Sequence, residues 1–547
     1  MVSAGVKGLR GWLVFASLCA AVACGLPVLA DTPPQVRVAD GILQGMSGDG
    51  VAAYKGIPYA QPPVGDLRWK APLPAKPWQG VRDAKNFGNA CLQPPPVPTS
   101  VYYGGMAPMG EDCLSLNVWV PAKAKGLPVM VWIHGGALVG GSSSEPLYDG
   151  TRIAQQGVIL VSINYRLGLL GYLAHPALSA ESPDKLSGNY GLMDQILALR
   201  WVRDNIAAFG GDPAKVTIAG ESAGALSAIA LVASPQANGL FRGAISQSGY
   251  MPAYRALKED VLGLPSAEAA GAALGKLAGV TDAASLRAAD LVTLFKAGMA
   301  TGWAPEPVID GVVLKRQLAD TFAAGEQAKV AILAGFNEGE IRSLPFLMPK
   351  GVSDTKAAYE ADIRRRFGTQ ADAYLAVYPG DDPKEDAAAS IRDGLYGWAA
   401  QYMARQQAAA GLPAYLYYFR HSTPAQVERK LAAFHASELP YMFGQVGPNA
   451  ALGPNWPRPP LNDAEARLSA AMMGYWLSFV RDGVPVAKGE ASWPRYVAGE
   501  AGYLDIADLP TAQRGLQAGA FTLADTLVDS RRRQGRAWRL DIGFSAF

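Results

Sequence analysis

Four short stretches of the chain are apolar with almost no polar interruption. They are Pro128-Val129-Met130-Val131-Trp132-Ile133, Val158-Ile159-Leu160-Val161-Ser162-Ile163, Val216-Thr217-Ile218-Ala219 and Val330-Ala331-Ile332-Leu333-Ala334. None alternates strictly between apolar and polar positions, and strands buried on both faces of a parallel sheet carry this signature. Between the second and third stretches, Leu192, Ile196, Leu199, Val202 and Ile206 recur every three or four residues. That spacing predicts a helix with one apolar face. Gly210-Gly211 marks its stop and Asp212-Pro213 a turn. Strand, helix and strand at this spacing predict a βαβ unit, and hence a parallel sheet. Tyr415–Phe419 reads as a further strand. Residues from about 266 to 296 and from 354 to 407 are Ala-rich and helical in pattern. With no internal repeat and no break in composition, the expectation is one α/β domain over residues 31–547.

The first 30 residues read differently. Lys7 and Arg10 precede an apolar stretch from Gly11 to about Ala23, and Val28-Leu29-Ala30 offers a cleavage site, so 1–30 reads as a signal peptide that is removed. The stretch is too short for a membrane span, and no later segment supplies about 18 uninterrupted apolar residues. Stable membrane insertion is therefore not expected. Cleavage before Cys24 with lipid anchoring is the minor alternative, because Ala21-Val22-Ala23 fits the Leu-led lipoprotein box poorly. The expected location is secreted or periplasmic. Of the four cysteines, Cys19 and Cys24 fall in the leader, which leaves Cys91 and Cys113. A single pair in an exported protein reads as a disulfide, here closing a loop of about 20 residues; two free buried thiols are the alternative. Such a closure contributes roughly 3 kcal/mol on a chain-entropy basis. The net charge of +2, with no long run of one sign, gives no electrostatic case for a nucleic-acid partner. No close Cys/His cluster offers a metal site, and neither a metal nor an organic cofactor is expected.

Candidate chemistry begins at Gly220-Glu221-Ser222-Ala223-Gly224, the one G-x-S-x-G in the chain. In a chain with 61 glycines the pattern alone means little. Its context means more, because the apolar stretch Val216–Ala219 runs straight into it and a helical pattern, Ala223–Ala230, runs out of it. A nucleophile elbow requires that strand–turn–helix, with Ser222 as nucleophile. The helix N-terminus behind the serine favours developing negative charge. Acyl transfer also needs an oxyanion hole. The amide of Ala223 supplies one donor, and the turn His134-Gly135-Gly136-Ala137, after the strand Val129–Ile133, offers Gly136 and Ala137 as the others. Gly140 and Gly141 keep that turn open.

With these motifs in order, the chain resembles the type-B carboxylesterases, the α/β-hydrolase family that includes cholinesterases and bacterial para-nitrobenzyl esterases. The resemblance rests on Tyr54–Ala60 with Pro63-Val64-Gly65 and Leu67-Arg68-Trp69, on Glu111–Val118, on Gly188–Gln195, on Phe209–Pro213 leading into the elbow, and on Gln247-Ser248-Gly249. It covers most of residues 40 to 250; the C-terminal half matches in patches. The resemblance implies a large, mostly parallel sheet with helices on both faces and helical insertions over the active site. It also implies a triad in the order Ser, Glu, His. Gly335-Phe336-Asn337-Glu338-Gly339-Glu340 is similar to the family's acid segment and puts the acid at Glu340, with Glu338 as competitor, because Gly339 and Ile341 depart from the usual Asp and Gly. His435-Ala436-Ser437-Glu438, followed by Phe443-Gly444, resembles the histidine segment and makes His435 the base rather than His421. His134 belongs to the oxyanion turn, and His175 precedes the serine.

The implied activity is hydrolysis of small to medium carboxylic esters through an acyl-enzyme. A non-catalytic adhesion member of the family, or a hydrolase acting on amides, carbamates or thioesters, are the alternatives. The resemblance further implies a Cys91–Cys113 disulfide, the ion pairs Arg68–Glu111 and Arg166–Asp194, and scaffold positions near the histidine for Glu221 and Ser248. Cholinesterases carry a Trp for choline in the loop closed by this disulfide; here that loop holds Tyr102 and Tyr103 instead, which argues against choline esters. Leu138 stands beside the oxyanion turn where many relatives have an aromatic residue, which implies an altered acyl pocket.

Overall fold

The structure is a computed structural model and describes residues 34–539; the expected leader, with Cys19 and Cys24, lies outside them. Each of the four apolar stretches is a strand. Eleven strands form one sheet: β1 (Met46–Gly48), β2 (Val51–Pro58), β3 (Ser115–Pro121), β4 (Leu127–Ile133), β5 (Ile159–Ile163), β6 (Gly211–Glu221), β7 (Gly243–Gln247), β8 (Ala331–Asn337), β9 (Ala414–Phe419), β10 (Gly502–Ile506) and β11 (Pro510–Arg514). Across the sheet they run β11-β10-β9-β8-β7-β6-β4-β5-β3-β2-β1. From β5 through β10 every neighbour is parallel. The flanks β1 to β3 and β11 are antiparallel.

Period-two alternation decides what covers each face. Along β4, Val129, Val131 and Ile133 enter one core, while Met130 and Trp132 enter the other. The first core receives helix α1 (Tyr190–Asn205) through Leu192, Ile196, Leu199 and Val202, the apolar face the spacing predicts, and helix α2 (Ala223–Ala233). The second receives α3 (Asp463–Asp482) through Leu468, Met472, Trp476 and Phe479. Helix α1 gives way to a short 3-10 turn, Ile206–Phe209, which is closed by Gly210 in the left-handed conformation. β6 pairs with β4 rather than β5, so the α1 crossover passes over β4. Asp212-Pro213 does not leave the sheet: it lies within β6, where the register shifts between Gly211 and Val216.

The register positions the site. Glu221 on β6 pairs with Gln247 on β7, and Gln247 pairs with Gly335 on β8. Three neighbouring strands therefore end almost level. The loops leaving such carboxyl ends are where open α/β sheets place their ligands.

Candidate active site

β6 ends at Glu221 and α2 begins at Ala223, so Ser222 alone makes the turn, with φ 57° and ψ −121°. A side chain rarely occupies that region, and the strain of about 1–3 kcal/mol persists only where the surroundings over-determine it. Here they do. The Ser222 amide donates to the Gln247 carbonyl at 2.9 Å. A Cβ at Gly224 would lie 2.0 Å from the Ile133 carbonyl oxygen, and one at Gly220 would lie 2.4 Å from the carbonyl of Gly224. Both motif glycines are thus fixed by close approach of the backbone.

The turn after β4 folds against this elbow: a Cβ at Gly135 would lie 3.2 Å from Ser222 Cβ. Ala137 and Leu138 both adopt positive φ, 55° and 59°. Val139 and Gly140 both donate to the Gly136 carbonyl at 2.9 Å. The amides of Gly136, Ala137 and Ala223 have no acceptor among the described residues. His134 is buried, with its ring stacked on Tyr165 at 4.6 Å. Burial lowers its pKa to about 4, so it stays neutral and serves the turn structurally. Leu138 is buried in the core, and its carbonyl accepts from the Gly168 amide at 2.7 Å.

Glu340 follows β8 on a 3-10 turn, Glu340–Ser343, and is fully buried. One carboxylate oxygen pairs with Nδ1 of His435. The other accepts from Ser248 Oγ at 2.6 Å and from the Asn337 amide at 2.8 Å. Glu338 points to solvent. The unusual Gly339 has a spatial reason: a Cβ there would sit 2.6 Å from the Leu431 carbonyl oxygen, because the histidine segment lies directly against it. The Gly339 amide donates to the Ala433 carbonyl, so the acid and histidine segments are joined through backbone as well.

The far nitrogen of His435, Nε2, lies 3.0 Å from Glu221 Oε1, on the residue immediately before Ser222. Tyr102 Oη donates to the His435 carbonyl at 2.9 Å, and Tyr396 packs on the imidazole at 5.2 Å. Tyr396 comes from a π-helical turn, Asp393–Gly397, an irregularity that recurs at functional sites. Beneath the pair, buried Glu438 accepts from Gln247 Nε2 at 2.9 Å and from Asn337 Nδ2 at 2.6 Å. Burial pushes the pKa values of Glu221 and Glu438 up. Burial alone would lower that of His435, but the carboxylates of Glu221 and Glu340 outweigh it and hold the ring's proton above the usual histidine range.

Other expected residues fall into supporting places. Cys91 and Cys113 are bonded. Arg68 pairs with Glu111, and Arg166 makes a buried bidentate pair with Asp194 at 2.7 and 2.8 Å. Glu221 touches His435 directly, whereas Ser248 reaches it only through Glu340. His421 lies between Glu465 and Asp508, and His175 caps a short helix by accepting from the Ala177 amide. Tyr102 packs on Phe434 and Trp456, while Tyr103 lies half-buried. Gln247, Asn337 and Glu438 lie within sequence motifs that give them no role; only the fold shows that their side chains form one network. Among the described residues no group of three or more potential ligands could hold a metal ion, and no helix is long and apolar enough to cross a membrane.

This sheet order, with a strained serine after β6 and a buried Glu–His pair built from the segments that follow β8 and β9, defines an α/β-hydrolase. The chain belongs to the carboxylesterase family, whose sequence profile matches residues 32–523, and is a carboxylic-ester hydrolase. It is 37% identical over 491 residues to the fumonisin B1 esterase of Sphingopyxis macrogoltabida, covering 87% of each chain. It is 36% identical to the para-nitrobenzyl esterase of Bacillus subtilis (strain 168), covering 83% of this chain and 91% of that one. Among solved structures, a PNB esterase superposes with a TM-score of 0.75 at 32% identity, over 90% of this chain and 100% of that one. A Geobacillus stearothermophilus carboxylesterase superposes with a TM-score of 0.76 at 33% identity, over 89% and 99%.

Proposed function

We propose that Ser222, His435 and Glu340 form the catalytic triad of a serine esterase that works through an acyl-enzyme. The observation that carries this reading is the placement of His435, with Nδ1 on buried Glu340 and Nε2 beside the residue that precedes Ser222. His435 Nε2 takes the Ser222 proton as Oγ attacks the ester carbonyl, and Glu340 orients the ring and stabilises its charged form. The amides of Gly136, Ala137 and Ala223 receive the oxyanion. His435 returns the proton to the leaving alcohol, then takes one from water as water attacks the acyl-enzyme. The free acid leaves and Ser222 Oγ regains its proton. The substrate class is small to medium carboxylic esters; rates over a panel varying acyl length and alcohol bulk assign the member. The leader and the Cys91–Cys113 bond support export to an oxidising compartment.

The test is Ser222→Ala. The variant folds like the parent, loses labelling by a fluorophosphonate, and hydrolyses 4-nitrophenyl esters slower by about three orders of magnitude or more. Retention of near-parental activity, or a label on another residue, overturns the assignment.

A further inference from the structure

Gln93 lies two residues after Cys91, inside the loop closed by the disulfide. Its side-chain amide grips a single residue of the oxyanion turn by both backbone groups. The Gly141 amide donates to Gln93 Oε1 at 2.8 Å, and Gln93 Nε2 donates to the Gly141 carbonyl at 2.8 Å. The same Nε2 donates to the Cys91 carbonyl at 3.0 Å. One side chain thus ties the disulfide to the end of the turn.

The turn transmits that hold because it has little slack. A Cβ at Gly140 would lie 2.9 Å from Gln93 Oε1, and one at Gly141 would lie 2.5 Å from both the Gly135 carbonyl oxygen and His134 Nδ1. Gly140 donates to the Gly136 carbonyl, so a shift at one end reaches the residue whose amide faces the reaction. Between them, Ala137 and Leu138 sit at positive φ, a conformation that neighbouring structure must impose.

We propose that Gln93 is a positioning residue for the oxyanion hole, and that through it the Cys91–Cys113 loop sets where the Gly136 and Ala137 amides point. This rests on the reading of those amides as oxyanion donors. Displaced donors stabilise the tetrahedral oxyanion less while leaving ground-state binding nearly unchanged. The loss therefore belongs in kcat rather than KM.

The experiment uses the full chain with its disulfide intact. Gln93→Met keeps the side chain's length and removes all three hydrogen bonds. On a 4-nitrophenyl ester, kcat falls about 10-fold with KM within about twofold, and the inhibition constant of a trifluoromethyl ketone rises by a similar factor, since its hemiketal oxygen occupies the same hole. The thermal midpoint stays close to the parent's, which a merely structural role does not predict alongside lost analogue affinity. Gln93→Glu keeps an acceptor for the Gly141 amide but no donor, and gives an intermediate loss. A kcat and inhibition constant within about twofold of the parent in Gln93→Met, or in Gln93→Glu if the first variant fails to fold, overturn the proposal. Ser222→Ala is assayed beside them: if it stays active the triad reading fails, whereas an inactive Ser222→Ala with a fully active Gln93→Met fails the Gln93 proposal alone.

Discussion

Ser222 and His435 belong to two halves of the site that are held in place by different means. On the serine side the constraint is backbone. Strands β4, β6 and β7 pair in parallel register, the Ser222 amide is tied to the Gln247 carbonyl, and two glycines let strand, turn and helix meet at distances no side chain allows. On the histidine side the constraint is a buried side-chain network. Glu340 is fixed by Ser248 and by the Asn337 amide, and Glu438 by Gln247 and Asn337. Backbone packing tolerates little change in shape and is indifferent to pH. A buried polar network depends on which groups carry protons, and each member left unpaired costs about 1–3 kcal/mol.

The sharpest way to break this comparison is to remove the acid of the proposed triad. Glu340→Gln keeps volume but cannot stabilise the imidazolium, and the neutral amide can hold the wrong tautomer of His435. We expect kcat/KM to fall by about 10³ to 10⁴, the scale seen when a triad carboxylate becomes an amide. Glu338→Gln, on the solvent-facing neighbour, leaves kcat/KM within about twofold, as surface changes do. Parallel kinetics on the two variants decide between the carboxylates; equal losses would mean that the buried pair is not the working one.

This contrast also explains what was legible in the chain. The elbow could be read because its physics is local: an apolar strand, Gly220 and Gly224 at fixed offsets, and a helix after them. The glycine-rich turn after β4 could be read for the same reason. The four apolar stretches became strands because burial on both faces admits almost no polar residue. Helix α3 went unread, and with it the cover of one sheet face, because it follows the irregular stretch after Gly444 and carries no motif of its own. The acid was ambiguous because Gly339 and Ile341 broke the expected pattern. The reason for Gly339 is its contact with Leu431, a residue 92 positions away, which no local window contains. The roles of Gln247, Asn337 and Glu438 were hidden in the same way, since the side-chain bonds that join them link segments far apart in sequence.

A second variant probes the scaffold under the serine half. Arg166 and Asp194 are both buried and bonded through two parallel contacts, with the Asp194 carboxylate also accepting from the Arg166 amide. Asp194→Asn leaves the guanidinium buried without its counter-charge, and we expect a loss of about 3–5 kcal/mol in the free energy of unfolding. Urea titration followed by fluorescence checks it. The pH profile of the folded remainder keeps its shape, because the pair does not touch the histidine network. A loss below about 1 kcal/mol would place this pair with exposed ones such as Arg203–Asp204, which contribute little.

The smallest effect falls where the two halves meet. Glu221 ends the serine strand, yet its carboxylate belongs electrostatically to His435. Burial disfavours a charged ring, but Glu221 and Glu340 outweigh it and raise the histidine pKa. In the proposed triad His435 is the general base, and a general base works only when neutral. The acid limb of the kcat/KM profile, where activity grows with pH as His435 loses its proton, therefore lies above the ordinary histidine value of about 6.5. Glu221→Gln keeps the shape of the strand end and removes one of the two largest contributions that raise the pKa. The limb then moves to lower pH by about one unit, equivalent to about 1.4 kcal/mol, and activity near pH 6 increases relative to the plateau. A limb that stays in place, measured from pH 5 to 10 under kcat/KM conditions, would show that Glu340 alone sets the proton affinity of His435. In that case the serine half would contribute geometry only.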